Sequence, residues 1–356
     1  MINKSKNLRS YLAALLLMAG CSLAEAHDFT VTIDGQKLYF NITDAKKLTA
    51  ELTYNGSIAE KRPCLLKGRI EVPAQVKHDE KLYSVNAVGA KAFSQADQLQ
   101  AVILPAGIAT IGDFAFEGCT SLESIVLPPN KVKMGQGIFF RCSQIKSVTL
   151  GADWTEVNLA MFQWSNSLTN IYLPAKVEKI HNVKKLARLA SIDVDANNTR
   201  FTAHRGMLYS RDGKALYACP RAYKGSVIVK EGTETITAGA LIDCHGVTSL
   251  DLPASLKQMS FRETSRMKQL EAINMRAPKP IVTAYSEKGK PLFLLQVASQ
   301  KTVLNVAKEA KKNYKNVIEA ETGEYAESSE SKAVAYTVKQ SQLMQPANIN
   351  GVKIFE

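Results

Sequence analysis

Three columns of apolar residues recur along this chain at a fixed spacing of 23 residues, and this period limits the folds that the chain can adopt. The first column holds Leu104, Leu127, Leu150 and Leu173, the second Phe93, Phe116, Phe139 and Phe162, and the third Leu99, Leu122, Ile145 and Leu168. A self-similar spacing of this length is the signature of a stack of short structural repeats. The sequence therefore predicts a solenoid in which each repeat adds one turn.

The same spacing returns in a second block, at Val229, Leu252 and Met275. Each repeat is expected to contain one short strand, around Val102–Leu104 in the clearest copy, then a turn and a compact return around the aromatic residue. A single repeat cannot bury its apolar face alone, so stacked neighbours must supply the core. Spaced aliphatic residues with a 20–29-residue period predict a β-rich leucine-rich repeat solenoid.

The motif IGDFAFEGCTSLESIVLP, at residues 111–128, resembles the BspA-type leucine-rich repeats of bacterial surface proteins. The stretch Asn197–Pro220 resembles a second element of that family, N-x-x-F followed by G-x-L-Y-x-x-D-G. The resemblance covers roughly residues 68–320, with departures such as Gly151 in place of proline. It implies a role in adhesion, including attachment to host matrix proteins and to other bacteria.

The N-terminus predicts export. Three basic residues precede the apolar run Tyr11–Ala19, which makes residues 1–20 a signal peptide and is too short to span a membrane. Two cleavage sites compete: Met18–Cys21 resembles a bacterial lipobox with Cys21 as the lipidated residue, and Ala24–Ala26 fits ordinary signal cleavage. We favour lipidation at Cys21, and hence an outer-membrane or cell-surface lipoprotein. The alternative is a periplasmic or secreted protein.

The rest of the chain divides around the repeats. Alternating apolar and polar residues predict a small N-terminal β cap over residues 21–67, ahead of a solenoid at 68–320. The Asp212-Gly213 pair predicts a β-hairpin insertion at 197–220 that either projects from the stack or covers its side. Ala307–Lys315 is expected to form a short C-terminal helical cap, and residues 321–356 an acidic linker and C-terminal tail.

No motif for catalysis or cofactor binding occurs in the sequence, so we expect a protein that is not an enzyme and that holds no cofactor or metal. The histidines are scattered, and Asp193–Asn197 begins like a calcium loop but lacks its glycine and its final glutamate. Five cysteines remain without Cys21, an odd count that argues against a complete disulfide framework. Cys119 and Cys142 share a column, where a disulfide is geometrically conceivable, but we expect buried thiols.

The strand positions that alternate with the buried ones form the candidate binding surface. Four of them are the predicted ligand-contact residues: Ile103, Val126, Thr149 and Tyr172. The column continues with more polar residues at Asp193, Ile228, Asp251 and Asn274. A contiguous exposed apolar stripe often marks a binding site. The alternatives are that these neighbours only stabilise the sheet, or that the N-terminal cap or the hairpin covers them.

The formal net charge of +12 favours acidic partners. The expected partners are a protein ligand, such as a host matrix protein or another cell-surface protein, or an anionic glycan, with the membrane reached through the lipid anchor. No basic and aromatic module for nucleic acid occurs. The sequence therefore predicts a non-enzymatic adhesion protein of the cell envelope. The alternative is a glycan-binding or scaffolding lipoprotein of the periplasm or outer membrane.

Overall fold

A computed structural model describes residues 27–54, 56, 64–260, 262–279, 281, 284–285, 291–292, 302–306, 310, 313, 347–349 and 352–355. The signal peptide, Cys21, the competing cleavage site at Ala26, most of the C-terminal helical cap and the acidic linker lie outside these residues. The fold is the predicted β-solenoid, with about 8 turns spaced ~23 residues apart and almost no helix.

The fold is built from short strands. In the first half of the chain they are β1 (Phe29–Ile33), β2 (Gln36–Asp44), β3 (Thr49–Thr53), β4 (Lys67–Glu71), β5 (Gln75–His78), β6 (Lys81–Val88), β7 (Gln98–Ile103), β8 (Thr110–Ile111), β9 (Ser124–Val126), β10 (Lys133–Met134), β11 (Ser147–Thr149), β12 (Glu156–Asn158), β13 (Asn170–Leu173) and β14 (Lys179–His181). In the second half they are β15 (Ser191–Val194), β16 (Phe201–His204), β17 (Met207–Ser210), β18 (Ala215–Ala218), β19 (Lys224–Ile228), β20 (Thr235–Ile236), β21 (Gly246–Leu252), β22 (Ala272–Met275), β23 (Ala284–Tyr285), β24 (Pro291–Leu292), β25 (Val303–Val306), β26 (Ala347–Ile349) and β27 (Val352–Phe355). Single turns of 3-10 helix lie at Leu159–Phe162 and Val183–Lys185.

The chain divides into two compact units. The first unit holds the described residues up to 122 together with 132–142, and the second holds 123–131 and the described residues from 143 onward.

In the first unit, one sheet begins with the N-terminal strands and continues into the repeats. Strands β1, β2 and β3 pair antiparallel, as the alternating sequence predicted, with Asp34 and Gly35 at φ 51° and 74° in the two-residue turn between β1 and β2. Strand β3 then pairs in parallel with β6, so the N-terminal strands lie beside the first strand of the repeat ladder. Their role as a cap remains a prediction.

Each repeat in this unit contributes two strands, and the expectation of one strand per repeat was wrong. Strand β7 of the conspicuous apolar motif pairs in parallel with β4. Strand β8 follows it and lies in a second parallel ladder between β6 and β10. A strand of two residues is too short to show a period of two, which is why the pattern alone does not indicate it.

The aromatic column forms a stack inside the first unit. The Phe93 and Phe116 rings lie 4.7 Å apart with 8° between their planes, and the Phe116 and Phe139 rings lie 5.2 Å apart. All three side chains are fully buried. The thiols beside the stack donate to the main chain of the preceding repeat, Cys119 to the Phe93 carbonyl at 3.1 Å and Cys142 to the Phe116 carbonyl at 3.0 Å.

Glycines in a fourth column let the backbones of successive repeats approach closely. A Cβ at Gly112 would lie 2.5 Å from the Ala90 amide nitrogen, and one at Gly135 would lie 2.5 Å from the Asp113 amide nitrogen. Real Cβ atoms essentially never come within 3.0 Å of backbone. The glycine that follows isoleucine in the repeat motif is therefore required by close packing of main chains.

The second unit contains further parallel strand pairs. Strand β9 pairs with β11, β12 with β14, and β13 with β15. Strands β16, β17 and β18 pair antiparallel, with Asp212-Gly213 in the turn that the sequence indicated, and β18 then joins β20 in parallel. Strands β19, β21, β22 and β25 form a last parallel ladder over a continuous apolar core.

The N-x-x-F element of the hairpin region depends on one buried amide. Asn198 is fully buried, and its Nδ2 donates to the carbonyls of Pro174 and Val177, both at 2.9 Å. Its Oδ1 accepts from the main-chain N–H groups of Arg200 and Phe201. One side chain thus satisfies four polar groups where the hairpin leaves the stack.

Candidate binding surfaces

The predicted ligand-contact residues lie at strand positions that face away from the core. Val126 and Tyr172 are 37% and 49% exposed, Thr149 is exposed, and Ile103 is half-buried. Their strand neighbours Val102, Ile125 and Ile171 are buried, so the period-two alternation predicts the facing of these side chains correctly. A role for the four residues in binding remains a prediction.

Register within the second unit brings two of these residues together. Val126 and Thr149 are partners in the parallel pair of β9 and β11. Tyr172 instead pairs with Asp193 of β15. Ile103 lies in the first unit, where its register partner is Glu71.

Tyr172 is held by a carboxylate of the next repeat. Its hydroxyl donates to Asp195 Oδ2 at 2.6 Å, and the Asn197 main-chain N–H donates to the same carboxylate at 2.8 Å. The hydrogen bond raises the pKa of the Tyr172 phenol, and it lowers the pKa of Asp195. The ring is therefore an exposed aromatic with a fixed orientation. Asp195 and Asn197, which begin like a calcium loop, serve this contact and a local turn instead.

Farther along the column the outward positions of Asp251 and Asn274 are polar and take part in side-chain hydrogen bonds, whereas Ile228 is half-buried. Ile228, Asp251 and Asn274 are successive register partners. The Arg276 Nε donates to Asp251 at 2.9 Å, and its NH1 donates to Glu231. Asn305 donates to Asn274 at 2.8 Å. The exposed apolar character is thus confined to the earlier part of the column.

A cavity of about 350 Å³ lies in the second unit, and none of the four predicted ligand-contact residues lines it. Its walls are residues 182–185, residues 217–219 and residues 239–240. Tyr217 is 40% exposed there. The volume falls at the lower end of the range of small-ligand pockets, about 300–1,000 Å³.

Cationic side chains surround this cavity. Lys184 and Lys185 lie on its wall, and the Arg221 NH1 donates to the Lys184 carbonyl at 3.0 Å. Arg221 and Arg266 both reach Asp243, at 3.8 Å and 3.0 Å. The segment from 182 to 188 has three basic residues and no acidic one. Asp243 is shared between two arginines, so the rim of the cavity keeps a positive balance.

A buried carboxylate fixes one wall of the cavity. Glu263 is fully buried and accepts hydrogen bonds from the main-chain N–H groups of Gly239 and Leu241, the latter at 2.8 Å. Burial raises the pKa of Glu263. Gly239 has φ 81°, and the Lys184 ammonium occupies the space where a side chain at residue 239 would begin. Lys184 is therefore drawn toward Glu263, whereas the Lys185 ammonium has no acidic partner among the described residues.

Sequence reasoning missed this cavity and its cations. The only available signal was the run of basic residues at 182–188, because the three wall segments come from different repeats and do not share the 23-residue spacing. A second missed feature is Trp164, which is 58% exposed at φ 73°. Gly118 occupies the corresponding position two repeats earlier, where a left-handed backbone costs nothing.

Two questions from the sequence concern the state of the cysteines and the presence of clustered metal ligands, and the described residues bear on both. Cys64, Cys119, Cys142, Cys219 and Cys244 are all buried free thiols, as expected. Burial raises the pKa of the Cys119 thiol, which keeps it protonated and unreactive. No group of three or more potential metal ligands occurs in the part of the chain that the structure describes. Nor does this part contain a helix long and apolar enough to cross a membrane.

Comparison with known proteins identifies the repeats. The family model of the BspA type leucine rich repeat region matches residues 83–204 in 6 copies. These residues therefore form a BspA-type leucine-rich repeat region. The leucine-rich repeat supports a protein-binding scaffold, and the match indicates no catalytic family.

Several solved structures match the chain at low sequence identity. The pneumococcal vaccine antigen PcpA is 16% identical over 82% of this chain and 96% of that chain, with a TM-score of 0.45. A leucine-rich repeat protein of Eubacterium ventriosum is 16% identical over 79% of each chain, with a TM-score of 0.41. The T. pallidum leucine-rich repeat protein is 21% identical over 59% of this chain and 87% of that chain, with a TM-score of 0.39. No curated protein matches the chain.

Proposed function

We propose that this chain is a lipid-anchored binding protein of the bacterial cell envelope, exposed at the cell surface, where it attaches to another protein through its outward strand positions. The observation that carries the proposal is the exposed apolar column, in which Val126 and Tyr172 lie exposed on strands β9 and β13 of two ordered sheets. A rigid sheet loses little conformational entropy on binding and offers a long contact surface. The BspA-type repeat supports the general role of a protein-binding scaffold.

Aromatic residues are the most frequent anchors of protein interfaces. Tyr172 meets two requirements of such an anchor, because its ring is half exposed and its hydroxyl is already fixed by Asp195. Val126 and Thr149 add a β-branched pair in direct register. The partner expected here is a protein with a complementary apolar patch, such as a matrix protein or another cell-surface protein.

Protease shaving of intact cells tests the location. A blot for this chain, beside a periplasmic control protein, should show loss of this chain alone. Survival of the chain until the outer envelope is permeabilised would contradict surface exposure and favour a periplasmic scaffold.

Cys21→Ser should release the chain from the membrane fraction, whereas an anchored Cys21→Ser variant would exclude lipidation at that residue.

A matrix-protein array tests the binding surface. Wild-type protein should bind at least one component, and Tyr172→Ala and Val126→Asp should weaken that binding about tenfold or more, in keeping with an interface hot spot. Leu82→Ala is a matched control, because Leu82 is 50% exposed but lies in the hairpin of β5 and β6. Equal loss in the control would show that the column is not the binding surface.

A further inference from the structure

We infer that the cavity between residues 182–185, 217–219 and 239–240 is a second binding site, and that its ligand is a sugar carrying a sulfate or phosphate ester. This site is separate from the proposed protein-binding column and does not depend on it. The inference combines a partly open cavity of about 350 Å³, a partly exposed aromatic side chain on its wall and a lysine without an acidic partner in the described residues, all within one unit of the structure.

The basic side chains at the cavity favour a ligand with negative charge. Lys185 stands on the wall with no acidic partner in the described residues, and Lys184 and the Arg221 guanidinium lie beside it. The carboxylate of Asp243 is shared by Arg221 and Arg266, and Glu263 is buried with its oxygens committed to backbone N–H groups. The charged side chains on the cavity wall are thus lysines, and a bound anion would meet Lys185 without displacing an existing ion pair.

The aromatic side chain on the cavity wall favours a ring as part of the ligand. Tyr217 is partly exposed in the cavity, and the Phe201 ring meets it edge-on at 5.8 Å, which limits its movement. An aromatic face offers an apolar platform to the C–H side of a sugar, while the lysines serve polar groups at the sugar's edge. An inorganic anion would leave this platform unused. A phospholipid headgroup carries the same negative charge, and vesicle binding distinguishes it from a sugar ester.

Binding of a sulfated tetrasaccharide derived from heparin, measured by calorimetry with the full chain, tests the inference. The desulfated form of the same tetrasaccharide and inorganic sulfate are the comparison ligands, and both should bind at least about tenfold more weakly, the loss expected for one charge-assisted hydrogen bond. Raising the salt concentration should weaken binding of the sulfated form. Equal affinity for the desulfated form would overturn the anionic site, and equal affinity for inorganic sulfate would overturn the sugar.

Variants locate the site. Lys185→Ala should weaken binding of the sulfated tetrasaccharide about tenfold. Tyr217→Phe should retain binding, and Tyr217→Ala should weaken it. Lys133→Ala removes the same charge from the first unit and should leave the affinity within about twofold, since distant exposed charges are largely screened. If Lys133→Ala weakens binding as much as Lys185→Ala, the attraction is a general effect of net charge and the site is excluded.

Vesicles containing an anionic phospholipid test whether the anion at this site comes from a membrane and not from a sugar. The chain without its lipid anchor should show no binding to such vesicles that depends on Lys185. Vesicle binding that is lost in Lys185→Ala, without binding of the tetrasaccharide, would overturn the inference in favour of a membrane contact. Because Val126 and Tyr172 are intact in every variant used here, matrix-protein binding should be unchanged, which separates failure of this inference from failure of the proposed adhesion role.

Discussion

The Tyr172 hydroxyl donates a 2.6 Å hydrogen bond to the Asp195 carboxylate, 23 residues further along the chain. The contact joins equivalent surfaces of two successive repeats. Similar pairs link Glu123 with Lys146 at 3.1 Å and Asp153 with Lys176 at 2.6 Å, again 23 residues apart. In each of these two ion pairs the acidic residue belongs to the earlier repeat and the lysine to the next one. Neighbouring repeats therefore place opposite charges side by side at these positions.

Removing the Tyr172 hydroxyl should raise the pKa of Asp195. The hydrogen bond from Tyr172 stabilises the ionised carboxylate, and its loss in Tyr172→Phe returns the pKa toward its ordinary value. An NMR titration of the Asp195 side chain measures the change. Because the pKa in the folded state is depressed, the stabilisation by Asp195 is present above the ordinary pKa and is lost as the pH falls. An unchanged titration in Tyr172→Phe would show that the hydrogen bond does not form in solution.

Gly112→Ala should destabilise the fold by about 1–3 kcal/mol, the typical cost of overpacking. The new Cβ would meet the Ala90 backbone, which cannot move without displacing the preceding repeat. Urea denaturation followed by circular dichroism measures the free energy of unfolding. Gly107→Ala is the matched control, since its nearest atom would lie at an ordinary contact distance of 3.5 Å. The explanation fails if the two substitutions cost the same.

Phe116→Ala should cost about 3–5 kcal/mol of stability, because it removes a buried ring from the middle of a stack and leaves a cavity. Leu82→Ala removes an exposed side chain and should change stability by no more than about 0.5 kcal/mol. The same denaturation experiment compares them. A small effect of Phe116→Ala would mean that the repeats do not depend on the aromatic column for their packing.

Asn198→Ala should destabilise the chain by about 2 kcal/mol or more, since it leaves buried main-chain donors and acceptors without partners. Asn198→Asp tests the direction of the hydrogen bonds. A carboxylate can accept from Arg200 and Phe201, but it cannot donate to Pro174 and Val177. Stability of Asn198→Asp equal to that of the wild type would contradict the assigned orientation of the amide.

The sequence predicts those parts of the fold that repeat with a fixed period. The columns of Leu104 and Phe93 indicate the turns, and the alternation around Ile103 correctly indicates which side chains face outward. Strand β8 escapes detection because two residues carry no periodicity. The hairpin region shifts the register of the repeats, so Lys185, Tyr217 and Gly239 meet around a cavity although no regular spacing relates them. Sites formed by such irregular juxtaposition depend on tertiary packing, which a pattern of spacings does not contain.

Glu263→Gln should change how stability depends on pH. Burial raises the pKa of Glu263 in the folded state, so its stabilisation is fully present below the ordinary pKa of about 4.3 and is lost as the pH rises through the folded-state pKa. Glutamine cannot titrate. Its NH2 group would face one of the two main-chain N–H groups, of Gly239 or Leu241, from which the Glu263 carboxylate accepts a hydrogen bond. The stability advantage of the wild type over Glu263→Gln should therefore be larger at low pH than at neutral pH, as measured by urea denaturation at several pH values.

The matched control for this prediction is Glu234→Gln, which should show the opposite trend. Glu234 is half-buried, and its hydrogen bond with Lys257, 2.8 Å long, lowers the pKa of Glu234. The contribution of Glu234 is present above the ordinary pKa and is lost on acidification. If the advantage of the wild type over Glu263→Gln instead grows as the pH rises, the two backbone N–H donors outweigh burial at Glu263.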